Sequence, residues 1–72
     1  MKLKCEVFCG ERPATEEGAL VRLRDEILDR INEKISATDI INVIEYKERL
    51  PVSPIYCGYP RYFMSITVYY RG

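Results

Sequence analysis

The sequence contains no histidine and no tryptophan. Without imidazole, no side chain titrates near neutrality at its ordinary pKa, and the commonest general base and metal ligand are missing. A structural zinc site needs four ligands; Cys5, Cys9 and Cys57 supply only three thiolates. An odd number of cysteines also argues against a disulfide framework. Cys5 and Cys9 stand four residues apart, about 13 Å along a strand, whereas a disulfide spans Cα atoms no more than about 7 Å apart. All three thiols are therefore expected to be reduced and to pack as small apolar side chains, with no bound metal.

Other absences narrow the function. No apolar run approaches the roughly 20 residues that cross a bilayer. The first residues, MKLKCEVFC, carry neither a long apolar core nor a small-residue cleavage site. A cytoplasmic protein without membrane partners is expected. There is no glycine-rich phosphate loop. Ser36, Ser53 and Ser65 have no motif around them, and Cys57 has no histidine to activate it. The chain is thus not expected to be an enzyme. Its formal net charge is zero, which argues against a protein built to coat long nucleic acid or an acidic membrane.

What remains is a globular composition, 47% hydrophobic and 31% charged, in 72 residues, enough for one domain spanning 1–72. A domain of this size buries only about 60% of its unfolded surface, so its core is thin and self-association is a common support. Residues 2–9, KLKCEVFC, alternate. Leu3, Cys5, Val7 and Cys9 share one face, Lys2, Lys4, Glu6 and Phe8 the other, and Gly10 and Pro13 are expected to end the strand. Residues 16–35 read as a helix with Thr15 as N-cap, Glu16 and Glu17 at the positive end of the dipole, and an apolar stripe of Leu20, Leu23, Ile27, Leu28, Ile31 and Ile35. Arg24 falls within that stripe. Either its long stem snorkels past the sheet edge, or its guanidinium binds an anion or a partner carboxylate.

Residues 40–47, IINVIEYK, are β-branched and then polar. Residues 61–70, RYFMSITVYY, alternate strongly, with Tyr62, Met64, Ile66, Val68 and Tyr70 on one face. The order β-α-β-β places this fold in the α+β class. A right-handed crossover makes the first two strands parallel, and the best-patterned third strand belongs in the centre. The expected sheet is three-stranded, ordered 1-3-2, with one helix on the face of Leu3, Cys5, Val7, Met64, Ile66 and Val68. One helix covers one face, which leaves Phe8, Phe63 and Tyr69 on a second face as an expected oligomer contact.

The loop LPVSPIYCGYPRY, residues 50–62, raises the functional question. From Leu50 to Gly72 there is no acidic residue; Arg61 and Arg71 are the only charges, and Tyr56, Tyr59, Tyr62, Tyr69 and Tyr70 all lie here. Tyrosine suits interfaces, and prolines pre-order a loop. The loop is either a lid on its own thin core, a surface for a protein partner, or a site for a small anionic aromatic ligand held by tyrosine stacking and arginine. The candidate binding residues are Tyr56, Tyr59, Arg61, Tyr62 and Arg24.

The pattern KLKCEVF, a charged helix, INVIEYK and the terminal YFMSITVYYR resembles a family of very small sporulation-associated proteins also found in phage genomes. The resemblance implies no catalytic residues; the loop with CGYPR is longer than that family leads one to expect. The β-α-β-β order also resembles dodecin, whose members form hollow shells and stack flavin on a tryptophan in the second strand. Here that strand offers only Tyr46 as an aromatic, so the resemblance implies oligomerisation without a flavin, and no cofactor is expected. The expected function is a non-enzymatic binding protein, oligomeric, acting as adaptor or inhibitor on a larger protein through its Pro/Tyr-rich loop. The alternatives are a phage-type oligomer that sequesters a nucleotide-like molecule between subunits, and a structural sporulation-associated accessory protein.

Overall fold

The computed structural model describes residues 2–52 and 58–72. Strand β1 (Leu3–Pro13) leads to helix α1 (Ala19–Lys34); a short 3-10 turn at Ala37–Asp39 then delivers the chain to β2 (Ile40–Leu50), and β3 (Arg61–Arg71) closes the sheet. The strands lie in the order β1-β3-β2. β3 runs antiparallel to both neighbours, so β1 and β2 are parallel, as the crossover rule requires. The α+β class, the element order and the central place of β3 are those the sequence predicts.

The boundaries differ in instructive ways. β1 runs on through Gly10 and Pro13, because β3 offers partners as far as Arg61, and Pro13 sits at the strand's end where a missing N–H is tolerated. The helix begins at Ala19, not at residue 16. Gly18, with φ 68°, occupies the N-cap position in the left-handed region that glycine enters without steric cost. Thr15 is therefore not the cap. Glu16, outside the helix, instead accepts hydrogen bonds from Arg12 Nη1 at 2.9 Å and Arg22 Nη1 at 3.0 Å.

The core joins Leu23, Ile27, Ile31 and Ile35 from the helix region to Met64, Ile66 and Val68 of β3 and Phe8 of β1. Phe8 corrects the sequence reading. It stands opposite Ile66 in the ladder and is 6% exposed beneath the helix, whereas Leu3 and Val7 are 67% and 59% exposed and Cys5 and Cys9 are exposed too. The strand is turned over relative to the expectation. The reason lies at Gly10, on the same face as Phe8: a Cβ there would stand 3.0 Å from Leu23 Cδ1. The helix can approach β1 closely only over a residue without a side chain, and Phe8 then fills the space beside it. Glu6, on the same face, reaches Lys34 at the helix end, 3.3 Å away. Leu28, placed in the stripe by spacing, is 39% exposed.

α1 packs over β1 and β3 and leaves β2 beyond its edge. Ile41 and Val43 are about half exposed there. The radius of gyration is 14.4 Å, against about 11 Å for a compact chain of this length. The excess reflects elongation, with principal extents of 48 × 21 × 15 Å.

Candidate interaction face

Directly opposed residues in an antiparallel ladder share a face, so the registers define the side of the sheet away from the helix. Its rows run across β1, β3 and β2 as Glu11–Phe63–Glu48, Cys9–Ser65–Tyr46, Val7–Thr67–Ile44 and Cys5–Tyr69–Asn42, with Leu3 beside Arg71 at the far end. The three middle rows hold no carboxylate, ammonium or guanidinium group. Ile44 and Tyr46 are 52% and 53% exposed, alongside Leu3 and Val7. Tyr46 meets Phe63 edge to face, ring centroids 6.4 Å apart, and its hydroxyl donates to Glu48 Oε2 at 3.0 Å. That hydrogen bond to a carboxylate raises the phenol's pKa.

Charge returns only at the two ends. At the Phe63 end Glu11 and Glu48 flank the ring, and Arg61 Nη1 binds Glu11 Oε2 at 2.8 Å. At the other end Arg71 is exposed and forms no salt bridge with a described residue. An uncharged, half-apolar centre with a polar rim is the anatomy of a contact surface.

The residues singled out in the sequence do not assemble into one site. Phe63 and Tyr69 lie on the bare face, as expected; Phe8 is on the opposite side, in the core. Arg24 lies where α1 meets β2, and its fork holds Glu45: Nη2 to Oε1 at 2.7 Å and Nε to Oε2 at 3.2 Å. The hydrogen bond from Arg24 is the main cause that holds the Glu45 carboxyl below its ordinary range, against some opposing desolvation. Arg61 is engaged by Glu11. Tyr59 is 43% exposed, and Tyr56 lies outside the described residues. The end of the loop is tied to the entry of the helical segment by Ala14 N–H donating to Pro60 O at 2.9 Å.

Tyr62 faces the helix side. With Leu20, Lys47, Glu48 and Arg49 it lines a shallow depression of about 170 Å³. Neither Lys47 nor Arg49 forms a salt bridge with a described residue.

Sequence reasoning missed Leu3, Cys5, Val7, Cys9, Ile44 and Tyr46 as members of the bare face. Their period-2 spacing was visible; which parity faced the helix was not. Among the described residues no group of three or more Cys, Asp or Glu side chains is arranged to hold a metal ion, and no helix is long and apolar enough to cross a membrane. No protein-family model, no curated protein and no solved structure matches the chain.

Proposed function

We propose that this chain is a small non-enzymatic interaction protein whose working surface is the bare face of its sheet. One observation carries the reading: the rows from Cys9 to Asn42 are free of formal charge, apolar in large part and open to solvent. Soluble proteins rarely leave such an area uncovered without a use for it. The Pro/Tyr-rich segment joins Leu50 to Arg61 at the Phe63 end of the same sheet, and a larger protein on which this chain acts as adaptor or inhibitor would bind at the face beside those ends. The free thiols of Cys5 and Cys9 suit a reducing, cytoplasmic setting. An accessory role in sporulation or in a phage would use the surface in the same way.

The test is a pair of pull-downs from native lysate with wild-type chain and with Ile44→Lys. Ile44 is half exposed, so the substitution leaves the core intact, as circular dichroism will show. Retention of bound protein by wild type and its loss in the variant is the expected result. Equal retention by both would remove the face from the function.

A second reading rests on the depression at Tyr62. Lys47 and Arg49 beside an aromatic ring are suited to a nucleotide-like anion, with phosphate on the cations and a base on the ring. Native mass spectrometry of protein purified from cells checks it: a retained small molecule, lost in Arg49→Ala, supports the reading. A bare chain mass under gentle desolvation rejects it.

A further inference from the structure

We infer that the partner of the bare face is a second copy of this chain, packed sheet on sheet with the two sets of strands antiparallel. The inference rests on the face being a contact surface, and it adds the partner and the geometry.

The charges at the rim choose the arrangement. Glu11 and Glu48, with Arg61 bound to Glu11, leave a net negative charge at one end of the face, and Arg71 stands at the other. A twofold axis lying across the strands near Thr67 sets the Arg71 end of each copy over the Phe63–Glu48 end of its partner. Each exposed guanidinium then meets an aromatic ring flanked by two carboxylates, and it does so twice by symmetry. The parallel arrangement would bring four glutamates together at one end, with only the two Arg61 guanidiniums to offset them, and two arginines at the other. Like charges at close range in a partly desolvated interface are strongly unfavourable. The surface is therefore complementary to itself in one orientation and not in the other.

Size permits it. With strands about 4.8 Å apart and rows about 7 Å apart, the face measures roughly 34 by 14 Å, so two copies cover on the order of 1,000 Å². That is the threshold for a stable interface, and side-chain relief adds to it. Two sheets packed about 10 Å apart would give the thin core a second apolar layer, with Val7 and Ile44 at its middle. Association through the outer edge of β2 is the competing geometry. That edge carries Lys47, Glu48 and Arg49 together with a bulge between Ile40 and Asn42, features that protect strand edges from pairing.

The face also carries a built-in reporter, since Cys5 and Cys9 lie on it and would be covered. Purified protein at micromolar concentration should sediment at twice the 8.4 kDa chain mass. Peptide-resolved alkylation should label Cys5 and Cys9 several-fold more slowly there than after dilution to monomer. Ile44→Glu, folded by circular dichroism, should be monomeric and label at the dilute rate. Arg71→Glu should weaken the dimer, and adding Glu48→Arg should restore it. A chain that remains monomeric at micromolar concentration, with both thiols labelled at the dilute rate, overturns the inference. So does a dimer whose thiols stay reactive, which would place association away from the bare face. The same labelling in native lysate separates the two failures. Thiols slow in lysate but fast in the pure protein mean that the face belongs to a different partner; thiols fast in both overturn the contact surface itself.

Discussion

Arg24 and Glu45 join the helix to the outermost strand. The two side chains meet through paired hydrogen bonds of 2.7 and 3.2 Å, at the place where α1 stops covering the sheet. Arg24 breaks the apolar stripe because its partner lies beyond that stripe's edge, on β2.

The pair should show up as a pH-dependent coupling. Glu45 titrates below its ordinary value of 4.5 because Arg24 favours its charged form, so the folded chain binds this proton less readily than the unfolded one. The contribution is present above that value and is lost as pH falls through the depressed folded pKa. In urea melts at neutral pH, Arg24→Met and Glu45→Gln together should cost less than the sum of the single variants. In acid the difference should vanish. Strict additivity at neutral pH would mean that the pair contributes nothing.

The core side chains should dominate stability. Ile27 and Met64 are fully buried, and truncation of such residues to alanine typically costs about 2–5 kcal/mol. For a small domain with a stability near the low end of about 5–15 kcal/mol, either change should leave a large unfolded fraction. Leu28→Ala should cost far less, about 0.5 kcal/mol, because its side chain is partly solvated. Equal losses at Ile27 and Leu28 by urea denaturation would contradict the observed rotation of the helix.

Turning β1 over should be equally measurable. Phe8→Ala should cost about 3–5 kcal/mol, as for a buried ring, whereas Val7→Ala should shift the midpoint little in the monomer. A reversed ranking would restore the opposite strand face to the core.

Gly10 is the closest point between β1 and the helix. A methyl group there meets Leu23 Cδ1 at 3.0 Å, and Leu23 is only 1% exposed with little room to move. Gly10→Ala should therefore destabilise by on the order of 1–3 kcal/mol, the usual range for overpacking. In a Leu23→Val background the further loss should be smaller, because a methylene has been removed from the contact. An equal loss in both backgrounds would point to a different cause.

The helix, the three strands and the central position of β3 were legible because hydrophobic period and crossover handedness are local or nearly local signals. Met64, Ile66 and Val68 were placed on the helix side correctly, since the opposite face of β3 carries Ser65 and Thr67. β1 offered no such contrast. Leu3, Cys5, Val7 and Cys9 are more numerous than Phe8, and the count favoured the wrong face. What decides is a steric fit to the helix at Gly10 and the register that sets Phe8 beside Ile66, and neither is encoded in alternation. The bare face was legible in part: Phe63 and Tyr69 were expected there, but Leu3, Cys5 and Val7 were assigned to the helix side, and Ile44 and Tyr46 were assigned to neither face. Arg24 was marked as a misfit without its partner, because Glu45 lies 21 residues away. Tyr56 was expected to bind and falls outside the described residues.

The central strand is the last to be synthesised. β1 and β2 are each paired only to β3, and three of the deepest core side chains arrive with it. A nascent chain that has extruded β1, α1 and β2 therefore holds two unpaired strands and half of an apolar core, a state that chaperones bind and that aggregates readily. The pairing of Leu3 with Arg71 spans nearly the whole sequence, so closing the sheet carries the entropic penalty of a long loop. Closure of the sheet in this domain is in that sense gated by the emergence of β3 from the ribosome.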